Sequence, residues 1–275
     1  MMNAALGVFD SGLGGLTVLK EILRELPGES VIYFGDTARV PYGTKSRETI
    51  TRFSMENLKF LQTFGIKAAV IACHTASSLA LDAVRGAFGF PIVGVVAPGA
   101  AKAAAATKNG RIGVIGTRST VESHAYENAI LERDPAAKVV SAACPLFVPL
   151  AEEGMTEGDI VRQIVAQYLV PVIDYNVDTL VLGCTHYPVL LERILEVLPP
   201  GITVVNPAVE AARDIAEVLK AESLEAPGHH RHDTRYFVSD EPSKFVELGP
   251  LFLGRPITRV ERVVEEYGWN LSNAA

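Results

Sequence analysis

Two short segments carry the residues best suited to chemistry. Residues 70–78 read VIACHTASS and residues 181–188 read VLGCTHYP. In each, an apolar run stops at a cysteine, Cys73 or Cys184, and hydroxyl and imidazole groups follow at once. A structural cysteine belongs inside an apolar run, where it acts as a small hydrophobe. One that ends a strand and begins a helix is placed as a reagent. The N–H groups of the helix N-terminus favour the thiolate and can draw a thiol from its reference pKa of ~8.5 toward neutrality. Thr75 and His186 each stand two residues beyond a cysteine, within reach of a thiolate or a substrate. The competing reading is a pair of buried structural cysteines, and what argues against it is repetition.

The chain resembles itself at nearly constant offsets. GVFDSGLGG (7–15) matches GVIGTRSTV (113–121), offset by 106, and VIACHTASSLAL (70–81) matches VLGCTHYPVLLE (181–192), offset by 111. VVAPGAA (95–101) matches VVNPAVEAA (204–212), offset by 109. Equal order and spacing imply two similar units related by duplication, with Cys73 and Cys184 as twins. Ligands of open α/β sheets bind at the strand C-terminal ends. Two such units face to face would bring one cysteine into a shared cleft from each side.

Two opposed thiols suit one reaction in particular. A thiolate on one face removes a proton from carbon and a thiol on the other face delivers one, inverting a stereocentre without a cofactor. Backbone N–H groups would stabilise the charge that develops on a substrate carboxylate. Asp10 and Asp36, each at the end of an apolar run, are expected to hold an ammonium group.

Other chemistries fit less well. Cys73, His74, Cys184 and His186 lack the C-x₂₋₄-C and H-x₃₋₅-H spacing of a zinc site, so no metal is expected. GHHRHD (228–233) reads as a solvated loop before the strand TRYFVSD. DSGLGG (10–15) follows a strand and opens a helix, but Thr17 stands where the dinucleotide pattern G-x-G-x-x-G needs its last glycine. GTKS (43–46) lacks the adjacent Gly-Lys of a P-loop. A nicotinamide oxidoreductase is therefore disfavoured. The turn is better used to present Asp10 and Ser11 to a small polar ligand, its glycines allowing close backbone approach. GDTARVPYG (35–43) repeats that logic with Asp36 and Tyr42, while FVPLAEEG (147–154) offers Glu152 and Glu153 as carboxylates able to orient a histidine. Cys144 has no twin and reads as structural.

The elements that must position these groups alternate from the start. LGVF (6–9) is an apolar run, and TVLKEILREL then repeats Leu16, Leu19, Ile22, Leu23 and Leu26 at the spacing of one helical face. Further strands are expected at 30–36, 68–73, 91–96, 111–116, 138–144, 179–184 and 202–206. Most are continuous apolar runs without alternation, the pattern of parallel strands covered on both faces. The fold class is therefore α/β: two similar domains with mainly parallel sheets, related by a pseudo-twofold axis, with the site in the cleft between them.

Bulk properties agree. A chain of 275 residues buries about three quarters of its unfolded surface and needs no metal or disulfide staple. With 48% hydrophobic and 21% charged residues it is globular, and a net charge of −7 without a basic block excludes nucleic acid as an expected partner. Three widely spaced cysteines fit a reducing compartment. The start, MMNAALGVFDSGLGG, has no signal-peptide pattern, and the longest uncharged stretch, 16 residues from Gly86, is short of the ~20 a spanning helix needs. A cytoplasmic protein without a membrane partner is expected.

VFDSGLGGLTVL, GDTARVPYGTKS, ACHTASS and GCTHYP together resemble the glutamate racemases of the cofactor-independent aspartate/glutamate racemase superfamily. The resemblance implies interconversion of L- and D-glutamate, supplying D-glutamate for peptidoglycan. It implies that Cys73 deprotonates D-glutamate and Cys184 deprotonates L-glutamate. Asp10, Ser11, Tyr42, Gly43, His74, Thr75, Thr185 and His186 would line the substrate site, with Asp36 and Glu152 as helpers. It also implies a first domain of residues 1–98 plus 208–275 and a second of residues 99–207, with Pro98 and Pro207 at the crossovers. A homodimer is compatible with it, although no residue pattern specifies one. One position departs: the family usually reads A-C-N-T-A, and His74 stands where Asn is expected. Aspartate as substrate, or a two-lobed protein that only binds a small anion, are the alternatives.

Overall fold

The computed structural model describes residues 4–227, 233–265 and 269–271. The histidine-rich stretch expected to form a solvated loop lies, apart from Asp233, outside the described residues. Among the described residues eleven strands form two sheets. β1 (Leu6–Asp10), β2 (Val31–Gly35), β3 (Ala68–Ile71) and β4 (Ile92–Gly94) belong to the first; β5 (Arg111–Gly116), β6 (Lys138–Ala143), β7 (Thr179–Gly183) and β8 (Thr203–Val205) form the second. β9 (Thr234–Val238), β10 (Glu261–Glu265) and β11 (Trp269–Leu271) return the chain to the first sheet.

The strand orders are β11-β10-β9-β2-β1-β3-β4 and β6-β5-β7-β8. The inner pattern 2-1-3-4 of the first sheet is thus repeated as 6-5-7-8 in the second, which is what the offset repeats require. Pairing is parallel throughout except between β10 and β11. Each sheet is covered on both faces. Leu6 and Val8 of β1 enter one core and Phe9 the opposite one, while Leu180 and Leu182 of β7 face one core and Val181 another. Each such side chain contributes about 1.5–3 kcal/mol by leaving water.

The two halves meet through the helices that carry the chain across. Helix Val96–Ala106 packs against helix Pro207–Ala221, with Gly99 so close to Pro207 that a Cβ would lie 2.8 Å from the proline ring. Helix Leu16–Glu25, opened by the DSGLGG turn, also packs on Pro207–Ala221. Among the described residues no helix is long and apolar enough to cross a membrane.

Three expected elements differ. The strand expected over 91–96 stops at Gly94 and a helix starts at Val96. Apolar content hides that boundary because both sides of it are buried. The helix expected after Cys73 is two short helices, His74–Leu79 and Leu81–Arg85, broken at Ala80. After Cys184 a 3₁₀ turn, Tyr187–Leu190, precedes helix Leu191–Val197.

Candidate active site

Cys73 lies two residues past β3 and caps the first of those short helices. Its backbone is pinned on both sides. The Cys73 carbonyl accepts from the Ser77 N–H at 2.8 Å, and the Ser77 hydroxyl donates to the Ile71 carbonyl at 2.9 Å. Cys184 follows β7 directly, and its carbonyl accepts from the Tyr187 N–H at 3.2 Å. The Tyr187 hydroxyl in turn donates to the Cys144 carbonyl at 3.0 Å. Cys144 is buried, and all three cysteines are free thiols.

Both twin cysteines line one cavity of about 490 Å³, large enough for an amino acid. From the first half come Ser11, Tyr42, Gly43, Cys73, His74 and Thr75; from the second come Thr117, Arg118, Glu152, Cys184, Thr185 and His186. Val40, Pro41, Pro145, Val148 and Pro149 add apolar surface, and Thr44 and Glu153 complete the wall. The lining therefore combines a few convergent polar groups with apolar surface.

The two thiols sit in different surroundings. Cys73 Sγ is 3.8 Å from Ser11 Oγ. Burial pushes the Cys73 thiol up to about 12, and the charge of Asp10 adds to this, while the Ala76 N–H and the Ser11 hydroxyl pull the other way. The helix N-terminus was expected to lower it. The helix is only six residues long and the thiol is almost fully buried, so desolvation wins.

Cys184 Sγ stands 3.8 Å from His186 Nδ1, and His186 Nε2 is 3.2 Å from Glu152 Oε1. Burial acts to lower the imidazole, but the Cys184 sulfur and the Glu152 carboxylate outweigh it and raise His186 to about 10. Glu152 is held below its ordinary value against the burial effect, by His186 first and then by Lys244, whose Nζ is 3.7 Å away. The second thiol thus has an imidazolium beside it and the first has none.

The DSGLGG turn serves this arrangement through its backbone. A Cβ on Gly14 would collide with Thr185 Oγ1 and the His186 ring, and one on Gly15 would collide with the Asp10 side chain. Thr17, the residue that spoils the dinucleotide pattern, donates its hydroxyl to the Thr185 carbonyl at 2.9 Å. The close approach expected of the glycines is therefore toward the other half of the protein.

Asp10 and Asp36 are fully buried and neither is on the cavity wall. Asp10 Oδ2 accepts from the Gly12 N–H at 2.9 Å, whereas its Oδ1 has no hydrogen-bond partner among the described residues. Burial raises the Asp10 carboxyl despite the nearby His186 charge. Asp36 was expected to meet an ammonium group. Its carboxylate instead accepts from Arg39 Nε at 2.7 and 2.9 Å, from Ser239 at 3.1 Å and from the Tyr42 hydroxyl. It acts behind the wall, fixing Tyr42.

Several residues of the site were not singled out in the sequence. Thr75 Oγ1 lies 3.0 Å from Thr117 Oγ1 and 3.4 Å from Thr120 Oγ1, a hydroxyl cluster that joins the halves. The Ser119 hydroxyl donates to the Gly43 carbonyl at 2.7 Å across the same seam. The repeat contained the signal, because the offset of 106 places Thr117 opposite Ser11. Tyr126, Lys244 and Phe252, which packs edge-on against His186 at 5.4 Å, had no such signal. Among the described residues no group of His, Cys, Asp or Glu is arranged to hold a metal.

Known proteins resemble this chain over most of its length. Residues 6–215 match the model of the Asp/Glu/hydantoin racemase family. A glutamate racemase from Geobacter metallireducens is 51% identical over 259 residues, 94% of this chain and 96% of that protein. The crystal structure of a glutamate racemase isoform from Bacillus anthracis superposes with a TM-score of 0.92 at 40% identity, covering 96% of this chain and 98% of that one. A glutamate racemase from Francisella tularensis in complex with D-glutamate does so with a TM-score of 0.89 at 38% identity, with the same coverage.

Proposed function

This chain belongs to the Asp/Glu/hydantoin racemase family, and from that premise we propose that it interconverts L- and D-glutamate by proton transfer between two cysteines, without a cofactor. The observation that carries the reading is that Cys73 and Cys184 line one cavity, each following the matching strand of a repeated sheet pattern. Glutamate is favoured as substrate by relatives that bear that name at up to 51% identity over most of their length.

The surroundings of the thiols favour one starting arrangement. Cys73, pushed up to about 12 by burial, rests as the thiol, which leaves Cys184, 3.8 Å from His186, as the base that starts from L-glutamate. L-glutamate then loses its Cα proton to Cys184 Sγ, and the Cα lone pair takes the proton of Cys73 on the opposite face. The product is D-glutamate, and the charge has moved from one sulfur to the other. D-glutamate is consumed by the reverse transfer, with Cys73 as base. Ser11, Tyr42, Gly43, His74, Thr75, Thr185 and His186 provide the polar contacts of the bound amino acid, and Asp10 balances its ammonium charge from beneath the wall. Glu152 keeps His186 charged.

The wider assignment follows the same reading. Residues 1–98 plus 208–275 and residues 99–207 are the two domains, with the chain crossing at Pro98 and Pro207. The reaction is cytoplasmic and supplies D-glutamate for peptidoglycan, and a homodimer is the assembly to test by light scattering. The activity itself is tested by incubating the purified, reduced protein with L-glutamate and, in parallel, L-aspartate. Loss of circular dichroism with glutamate is expected. Loss with aspartate alone changes the substrate, and no loss with either leaves a binding protein.

A further inference from the structure

His74 has a partner that reaches it from the other half of the protein. Tyr126, on helix Ala125–Arg133, is buried, and its Oη lies 2.9 Å from His74 Nδ1. The two rings stack with centroids 5.9 Å apart and an interplanar angle of 25°. Gly99 and Gly183 flank its ring, and a Cβ added at either position would lie 3.4 Å from it.

The direction of this hydrogen bond can be read from the partners. A phenol has one proton, and Tyr126 Oη has two acceptors within reach: His74 Nδ1 at 2.9 Å and the Val95 carbonyl at 3.5 Å. The Val95 carbonyl also accepts from the Gly99 N–H at 3.4 Å. The shorter contact takes the proton, which makes Nδ1 the acceptor. Burial lowers the imidazole to about 3, so the ring is neutral and carries a single N–H. If Nδ1 accepts, that proton is on Nε2.

We infer that Tyr126 is a positioning residue: its hydroxyl holds His74 in the Nε2–H tautomer, and that N–H is the donor His74 offers to a carboxylate of the amino acid in the cavity. The substrate half of this inference rests on the function proposed above; the tautomer half does not. His74 belongs to the cavity wall while Tyr126 lies beneath it, so Tyr126 acts only through the imidazole.

The tautomer is read directly from long-range ¹H–¹⁵N correlation spectra of protein labelled at its six histidines, with His74→Asn providing the assignment. The wild-type signal of His74 is expected to be that of a neutral ring protonated at Nε2, and Tyr126→Phe is expected to convert it to a mixture of tautomers. A ring protonated at Nδ1, a charged ring at neutral pH, or a tautomer unchanged in Tyr126→Phe overturns the inference. The wild-type spectrum decides even if the variant does not fold.

Kinetics test the substrate half. Tyr126→Phe should raise KM about tenfold, the effect of one weakened hydrogen bond to a charged group, with kcat nearly unchanged. Asn carries a fixed amide donor and has no tautomer to set. In a His74→Asn background the same Tyr126→Phe change should therefore alter KM less than about twofold. Equal effects in both backgrounds would mean that Tyr126 only supports packing. Failure of the wild-type protein to racemise glutamate removes the substrate half and the proposed function together, while the spectrum still reads the tautomer.

Discussion

Cys184 Sγ and His186 Nδ1 lie 3.8 Å apart, and the imidazole is raised to about 10 by that sulfur and by Glu152 against the opposing effect of burial. The twin position has no such partner: Cys73 faces a serine hydroxyl and is pushed up to about 12. A duplicated fold has thus placed equivalent cysteines in unequal electrostatic surroundings.

That inequality is visible to an alkylating reagent, which reacts with thiolate and not thiol. Near neutral pH, iodoacetamide should label Cys184 at least about tenfold faster than Cys73, and a cavity-bound amino acid should protect both. Peptide mass mapping of partly labelled protein measures the ratio. Labelling of Cys73 first would reverse the assignment of resting states.

Gly14 is the point at which the first turn presses on the second half. Gly14→Ala places a methyl group against Thr185 and His186, and neither can retreat from a closely packed site. Activity should fall about a hundredfold or more, as expected when a catalytic group is displaced by about an ångström. Because the two enantiomers have equal free energy, kcat/KM must fall equally in both directions. A racemisation assay run from each enantiomer checks this, with thermal unfolding showing that the fold survives.

Asp36 is fully buried and binds Arg39, whose side chain is 10% exposed. Asp36→Ala removes one carboxylate that pairs with that guanidinium, leaving Glu56, and leaves the Tyr42 hydroxyl without its acceptor. The loss should be about 1.5–3 kcal/mol of stability, that of hydrogen bonds to a charged group, measured by urea unfolding. Activity should fall as well, because Tyr42 forms part of the cavity wall.

His74 gives a pH signature of its own. Its imidazole is lowered from 6.5 to about 3 by burial, so below about 6.5 the unfolded chain binds a proton that the folded protein refuses. This contribution is neutral above about 6.5 and costs up to about 1.4 kcal/mol per pH unit as the pH falls toward 3. A His74→Asn variant lacks it. Its unfolding midpoint should gain on the wild-type value steadily between about pH 6.5 and about pH 4, and parallel curves would show that His74 is protonated in the fold.

Much of this was legible in the residues, and the limits have physical causes. Continuous apolar runs located the strands of both sheets, because strands buried on both faces must be apolar throughout. The repeated offsets anticipated the repeated strand order and the shared cavity of Cys73 and Cys184. What failed was the inference from local position to pKa. A helix N-terminus is visible in a sequence, whereas desolvation of Cys73 depends on everything packed around it. The same holds for Asp36, whose position at a strand end implied exposure to ligand, until Arg39, Tyr42 and Ser239 closed over it. Tyr126 was unreadable because its partner is 52 residues away and belongs to the other sheet's neighbourhood.

The central claim is that one sulfur takes the proton and the other gives a different one. The direct test starts from protiated L-glutamate in D₂O and examines both enantiomers at low conversion. Two bases predict that the D-glutamate formed carries deuterium at Cα while the L-glutamate that remains keeps its hydrogen. Deuterium entering both enantiomers at the same rate would mean that a single group serves both faces, and would contradict the roles given to Cys73 and Cys184.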